Sequence, residues 1–240
     1  MEMNHHFDAF IDDLRSTHGT NLVSVILFGS TAAGDYVPKM SDHNILIALD
    51  HIGPEDLRNA YACVREWTRL GHPAPVYFTV SELKNAADVF PIEFHQMSAS
   101  RAVLYGPDLL DDLKISDTFL RLQTEYELRS KLLKLRQQYI PASHTVDGLK
   151  RLMAESLSSF AALFGAALLI SGKTPPAKKR DIVAMAAKEF TLDIEPFEKI
   201  FSIRKNVDEP KLDESSANGL FGEYLKQIER VIAAVDALEK

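Results

Sequence analysis

The chain has 240 residues, of which 46% are hydrophobic, 25% charged and 9% aromatic, enough apolar surface for one large folded domain or two ordinary ones and not the composition of a disordered chain. The formal net charge is −7, with 8 basic against 16 acidic side chains in residues 1–114 and 19 against 18 in the remainder. An acidic first half argues against broad binding to a phosphate backbone and suits a site that recruits divalent cations. A single cysteine, Cys63, excludes an internal disulfide and a multi-cysteine zinc cluster.

The periodicity predicts a helix over Phe7–Thr17, where Phe7, Phe10, Ile11 and Leu14 share one face. Leu22–Phe28 (LVSVILF) is β-branched and apolar, a buried strand. Gly29–Lys39 is a turn and loop rich in Gly, Ser, Ala and Pro. Ile45–Leu49 (ILIAL) is a second buried strand, Asp56–Leu70 a helix with Pro54 just before it, and Val76–Val80 (VYFTV) a third strand. Ser81 is the expected N-cap of a short helix that follows.

Beyond Ile115 no strand pattern is convincing. Helical spacing runs through Thr118–Tyr139, Asp147–Ile170, Lys178–Phe190, Ile194–Lys205 and Gly219–Leu238, with Lys173–Pro176 and Asp208–Pro210 as breakers. Long helices joined by short loops predict an up-and-down bundle. The longest apolar or small run, Phe160–Ile170, is eleven residues and too short for the ~20 of a membrane span. The N-terminus lacks a basic region followed by an apolar one, so the expected location is cytoplasmic, without a membrane partner.

The informative stretch is Leu27–Leu49, LFGSTAAGDYVPKMSDHNILIAL. A buried strand ends at Phe28, Gly29-Ser30 follow at the turn, and Ser41-Asp42-His43-Asn44 lead into the next strand. Glycine lets the backbone approach a phosphate closely, and Ser30 adds a hydroxyl and an N–H. A helix beginning after Ser30 would aim further N–H groups at phosphate. On a strand, residues two apart share a face about 6.6–7 Å from each other. Asp42 and Asn44 are therefore candidate ligands on one side, and His43, of opposite parity, is a poor co-ligand.

This arrangement resembles the nucleotidyltransferase superfamily, in which a Gly-Ser turn precedes Asp-x-Asp on the next strand. Gly34-Asp35 in the loop and Val103–Gly106 after the third strand fit the same pattern, and the resemblance covers about residues 20–110. It implies an α+β protein: a nucleotidyltransferase-like domain with a mixed sheet over 1–112, then an all-α helical bundle over 116–240. It implies Mg²⁺-dependent transfer of a nucleoside monophosphate from a nucleoside triphosphate such as ATP to a small-molecule or protein acceptor. Gly29 and Ser30 would bind the nucleotide, and Asp42 and Asn44 would bind metal and carry the catalysis. The helical half resembles the bundles of small-molecule nucleotidyltransferases, including aminoglycoside-modifying ones. There Glu125, Glu127 or Glu155 could serve as a base.

The sequence departs from the pattern in two places. Asn44 stands where the second aspartate belongs, and Val76–Val80 contains no third acid. At ~4 Å and an effective dielectric near 20, each missing charge removes about 4 kcal/mol of attraction for a cation. The expectation is a weak or single Mg²⁺ site and a degraded transfer activity. The alternative is an inactive relative that binds nucleotide or a protein partner. Among other features, Lys178-Lys179-Arg180 reads as a solvated helix start, and Cys63 as a small buried residue. Arg136 and His144 are too far apart, with Pro141 between, for the Arg–His pair of HEPN-type RNases. The apolar faces of the helical half could pair with a second copy.

Overall fold

The computed structural model describes residues 2–35 and 42–238, with side chains from Phe7 onward. Residues 36–41, which include the end of the expected Gly29–Lys39 loop and Ser41, lie outside the described residues. The chain divides into two compact units, residues 1–116 and 117–240.

In the first unit, α1 (Glu2–His18) leads through a 3₁₀ turn at Gly19–Asn21 into β1 (Leu22–Phe28), followed by β2 (Asn44–Leu49). The expected helix at 56–70 is two helices, α2 (Pro54–Asn59) and α3 (Tyr61–Arg69), separated at Ala60. Then come β3 (Val76–Thr79), α4 (Val80–Asn85), α5 (Pro91–Ala99) and β4 (Arg101–Tyr105). The cap of α4 is Thr79, not Ser81: the Thr79 hydroxyl accepts from the Glu82 N–H, and the Glu82 carboxylate accepts from the Thr79 N–H at 2.7 Å. This capping box starts the helix two residues earlier than the serine suggests.

The sheet is mixed, in the order β3-β2-β1-β4, with β1 antiparallel to β2 and β4, and β2 parallel to β3. Alternation divides its side chains between two cores. Val25, Leu27, Ile45, Ile47 and Leu49 pack with Phe10 and Leu14 of α1 and with Cys63 and Trp67 of α3. Ile26, Leu46 and Ala48 pack with Leu83, Phe94, Met97 and Leu110 on the other face. A sheet covered on both faces needs near-continuous apolar strands, which is why LVSVILF and ILIAL show no polar alternation. β4 carries half-exposed residues at the sheet edge, so its pattern is weak. Gly106, directly after it, has φ +73°, and a Cβ there would lie 2.0 Å from the Val23 carbonyl oxygen. Only glycine lets the chain leave β4 this close to β1.

The second unit contains α6 (Leu120–Ala142), α7 (Val146–Ile170), α8 (Lys179–Glu189), α9 (Glu195–Lys205) and α10 (Glu214–Ala237). α7 is central, and each of the other four packs against it. Its buried residues, among them Leu152, Ala154, Phe160, Phe164, Gly165 and Ala166, point around most of the helix circumference. That accounts for the apolar run 160–170: the helix has neighbours on nearly every side. Among the described residues α7 is the one helix long and apolar enough to cross a membrane, and 61% of that apolar window is buried within the protein. α10 begins at Glu214, not Gly219, because Asp213 caps it by accepting from the Ser216 N–H at 2.8 Å.

Candidate functional site

The register of β1 on β2 sets Phe28 opposite Asn44. The chain therefore leaves β1 at Gly29 beside the point where it enters β2. Gly29 has φ +82°, and a Cβ there would come within 3.4 Å of the Asn44 amide nitrogen. The Gly29 N–H donates to the Ser100 carbonyl at 3.1 Å, which ties the turn to the start of β4.

Residues 30–34 form a tight turn and not the expected helix. The N–H groups of Ala33, Gly34 and Asp35 donate to the carbonyls of Gly29, Thr31 and Ser30. They are thereby turned inward. Among the described residues, neither the N–H nor the hydroxyl of Ser30 has a hydrogen-bond partner. Any phosphate contact from this bend falls to Ser30 and its immediate neighbours instead of a helix N-terminus.

Asp42 precedes β2 and is exposed, while Asn44, the first residue of β2, is half-buried. Thr31 joins the two segments. Its Oγ1 lies 3.3 Å from the Asp42 carbonyl oxygen and 2.9 Å from Nδ1 of His43. A hydroxyl has one proton, so both bonds form together when His43 donates from Nδ1–H and Thr31 donates to Asp42. His43 is buried and points away from the solvent-facing Asp42. Its ring packs at 4.3 Å from the His72 ring and 5.2 Å from Phe7, with Trp67 stacked on Phe10 at 4.6 Å and tilted against His72 at 4.5 Å. The Trp67 indole N–H donates to the Pro73 carbonyl at 3.0 Å. These packed rings, with the indole N–H satisfied, make a stiff support around His43, the neighbour of Asp42.

Other candidate acids are placed elsewhere. On β3 the residues paired with Leu46 and Ala48, hence on the face of Asn44, are Val76 and Phe78. Glu82 is held in the α4 capping box. Asp50 is at the far end of β2, where its N–H donates to the Asn21 carbonyl. Among the described residues no group of three or more His, Cys, Asp or Glu side chains could share a metal ion. Arg101, opposite Phe28, is engaged with Asp108 at 2.8 Å, Asp111 at 3.1 Å and the Ser98 carbonyl at 2.6 Å. It braces the β4 start and is not a loose cation for phosphate.

In the second unit the three glutamates considered as bases are ion-paired along helices: Glu125 with Arg121 and Arg129, Glu127 with Lys131, Glu155 with Arg151. The basic run is engaged too, with Lys179 Nζ 3.1 Å from Ser158 Oγ and Arg180 bound to Glu198. Cys63 is buried with its sulfur 3.1 Å from the Ala60 carbonyl, and burial pushes its thiol above the ordinary range.

Sequence reasoning missed the Thr31 bridge, the His43–His72–Trp67 stack and the brace at Arg101. One signal was present: an imidazole at an inward strand position needs a polar partner, and Thr31 sits in the facing turn.

The architecture is that of a nucleotidyltransferase fold followed by a helical bundle. A solved structure with a similar fold is the spectinomycin adenyltransferase AAD(9) from Enterococcus faecialis, with ATP and spectinomycin. The TM-score is 0.63 at 13% sequence identity, over 97% of this chain and 99% of that one. No family model matches the sequence, and no curated protein matches it.

Proposed function

We propose that this chain is a nucleotidyltransferase-superfamily protein that binds a nucleoside triphosphate with a single Mg²⁺, and whose transfer of a nucleoside monophosphate to a small-molecule or protein acceptor is weak. The observation that carries this reading is the junction of the Gly29–Ser30 bend with Asp42, through the Phe28–Asn44 pairing and the Thr31 bridge. The similar fold of an adenyltransferase that holds ATP supports a triphosphate donor of that type, and its spectinomycin supports a small acceptor.

The donor set fits one hard cation. Asp42 offers an exposed carboxylate and Asn44 a neutral carbonyl oxygen, the ligand types such cations take. When bound, Mg²⁺ would neutralise triphosphate charge and make the α-phosphorus easier to attack. Asp42 would hold that cation, Asn44 would complete its coordination without charge, and Gly29 and Ser30 would seat phosphate oxygens. A pair of metal ions does not fit, because Val76 and Phe78 stand on the β3 face where a third carboxylate would have to be.

That shortage of acids favours a second reading, an inactive nucleotide-binding or protein-interaction module. Thermal shift with ATP, with and without Mg²⁺, and pyrophosphate release with a panel of acceptors separate the two. Mg²⁺-dependent stabilisation with slow pyrophosphate release is the expected result. Stabilisation without release means the module; no stabilisation by any nucleoside triphosphate removes the nucleotide reading.

A further inference from the structure

α6 is apolar on two opposite sides. Leu120, Leu128, Leu132 and Leu135 are buried on one. On the other, Phe119 at the N-cap, Leu122, Tyr126, Leu133 and Ile140 are each between 56% and 69% exposed. Phe119, Tyr126, Leu133 and Ile140 recur every seven residues. At 100° per residue all five fall within a sector of about 60°. The stripe runs the whole 23-residue helix, about 35 Å. A seven-residue apolar repeat is the pattern of a helix–helix seam. A solvated helix face has no use for it.

The charges beside the stripe say what covers it. By the same wheel, Glu127 and Lys134 lie on one edge, and Glu125, Arg129 and Arg136 on the other. On each edge the acid is N-terminal and the base C-terminal. We infer that α6 pairs antiparallel, about a two-fold axis near Arg129–Ser130, with α6 of a second copy of this chain. Tyr126 then meets Leu133 of the second copy, and Phe119 meets its Ile140. In antiparallel pairing like edges meet, so Glu127 faces the second copy's Lys134, while on the other edge the charges are held within each chain, Glu125 by Arg121 and Arg129 and Arg136 by Glu229 at 2.6 Å. A parallel pair would join unlike edges and set Glu127 against Glu125 and Lys134 against Arg136, like charge on like. Within one chain Glu127 pairs with Lys131, 3.7 Å away, while Lys134 has no ion pair among the described residues. One helix pair buries an area at the small end of specific interfaces, the class of weak and transient association.

The test is sedimentation velocity on the full chain across roughly 1–200 μM, a range in which weak association registers. A reversible monomer–dimer equilibrium is expected. Leu133→Asp weakens it at least about tenfold, as for a central apolar anchor, with circular dichroism and Tm unchanged because the site is exposed. Glu127→Lys and Lys134→Glu each weaken it, and the two together restore it. A chain that stays monomeric throughout overturns the inference, and so does a dimer indifferent to Leu133→Asp. A dimer that the reciprocal exchange fails to restore overturns the antiparallel seat.

Discussion

Oγ1 of Thr31 lies 2.9 Å from Nδ1 of His43, in contact across the mouth between β1 and β2. Through this one hydroxyl the bend after β1 grips the segment that carries Asp42. Thr31→Val keeps the shape and removes both bonds, taking a hydrogen-bond partner from the buried His43 ring. A loss of about 1–3 kcal/mol is expected. Thr31→Ser recovers most of it. Chemical denaturation of the three proteins checks this, and a Thr31→Val protein as stable as the parent would refute the bridge.

Asn44→Asp should tighten Mg²⁺-dependent binding of ATP by at least about tenfold, a fraction of the ~4 kcal/mol that one charge at 4 Å can supply. Adding Val76→Glu places a carboxylate on the neighbouring strand on the same face, since Val76 pairs with Leu46. The double variant is expected to gain pyrophosphate release. Isothermal titration with and without Mg²⁺ measures the first effect; unchanged affinity would mean that Asn44 does not face the nucleotide.

Gly106→Ala is expected to be among the most damaging single changes in the first unit. It adds a methyl 2.0 Å from the Val23 carbonyl oxygen at a positive φ. Backbone must shift at the β1–β4 pairing, at a cost of about 3 kcal/mol or more. Gly172→Ala also has a positive φ but open space around it, so it should cost about 1 kcal/mol. Urea midpoints for the two variants give the comparison. Equal losses would count against the close approach.

Acid should weaken the first unit in two stages. Burial holds His18 below its ordinary pKa, outweighing the nearby Asp56. The unfolded chain then binds more protons than the folded one, so stability falls as pH drops through about 6.5. Asp56 is held low chiefly by the Gly53 N–H, and its contribution disappears only as pH falls below about 4. His18→Gln should flatten the first stage and leave the second. Denaturation midpoints from pH 8 to pH 3 provide the measurement.

The strands β1 and β2, the bend between them and the helical character of the second unit follow from local pattern: apolar runs, glycine at a turn, and 3.6-residue spacing each leave a mark within a few residues. β4 and α5 left little, because a half-exposed edge strand and a short helix need few apolar residues in register. The division of the 56–70 helix and the early start of α4 depended on backbone geometry at Ala60 and on the reciprocal Thr79–Glu82 bonds.

The sequence by itself determined that Gly29, Ser30, Asp42 and Asn44 flank two apolar runs, and that neither position 44 nor Val76–Val80 supplies a second carboxylate beside Asp42. Only the tertiary structure decided that Thr31 closes on His43, that His72 and Trp67 back it, and that Glu82 is held in a cap. These are pairings between residues distant along the chain, or choices among competing hydrogen-bond partners. Periodicity specifies which face a residue takes, and packing alone selects what it meets there.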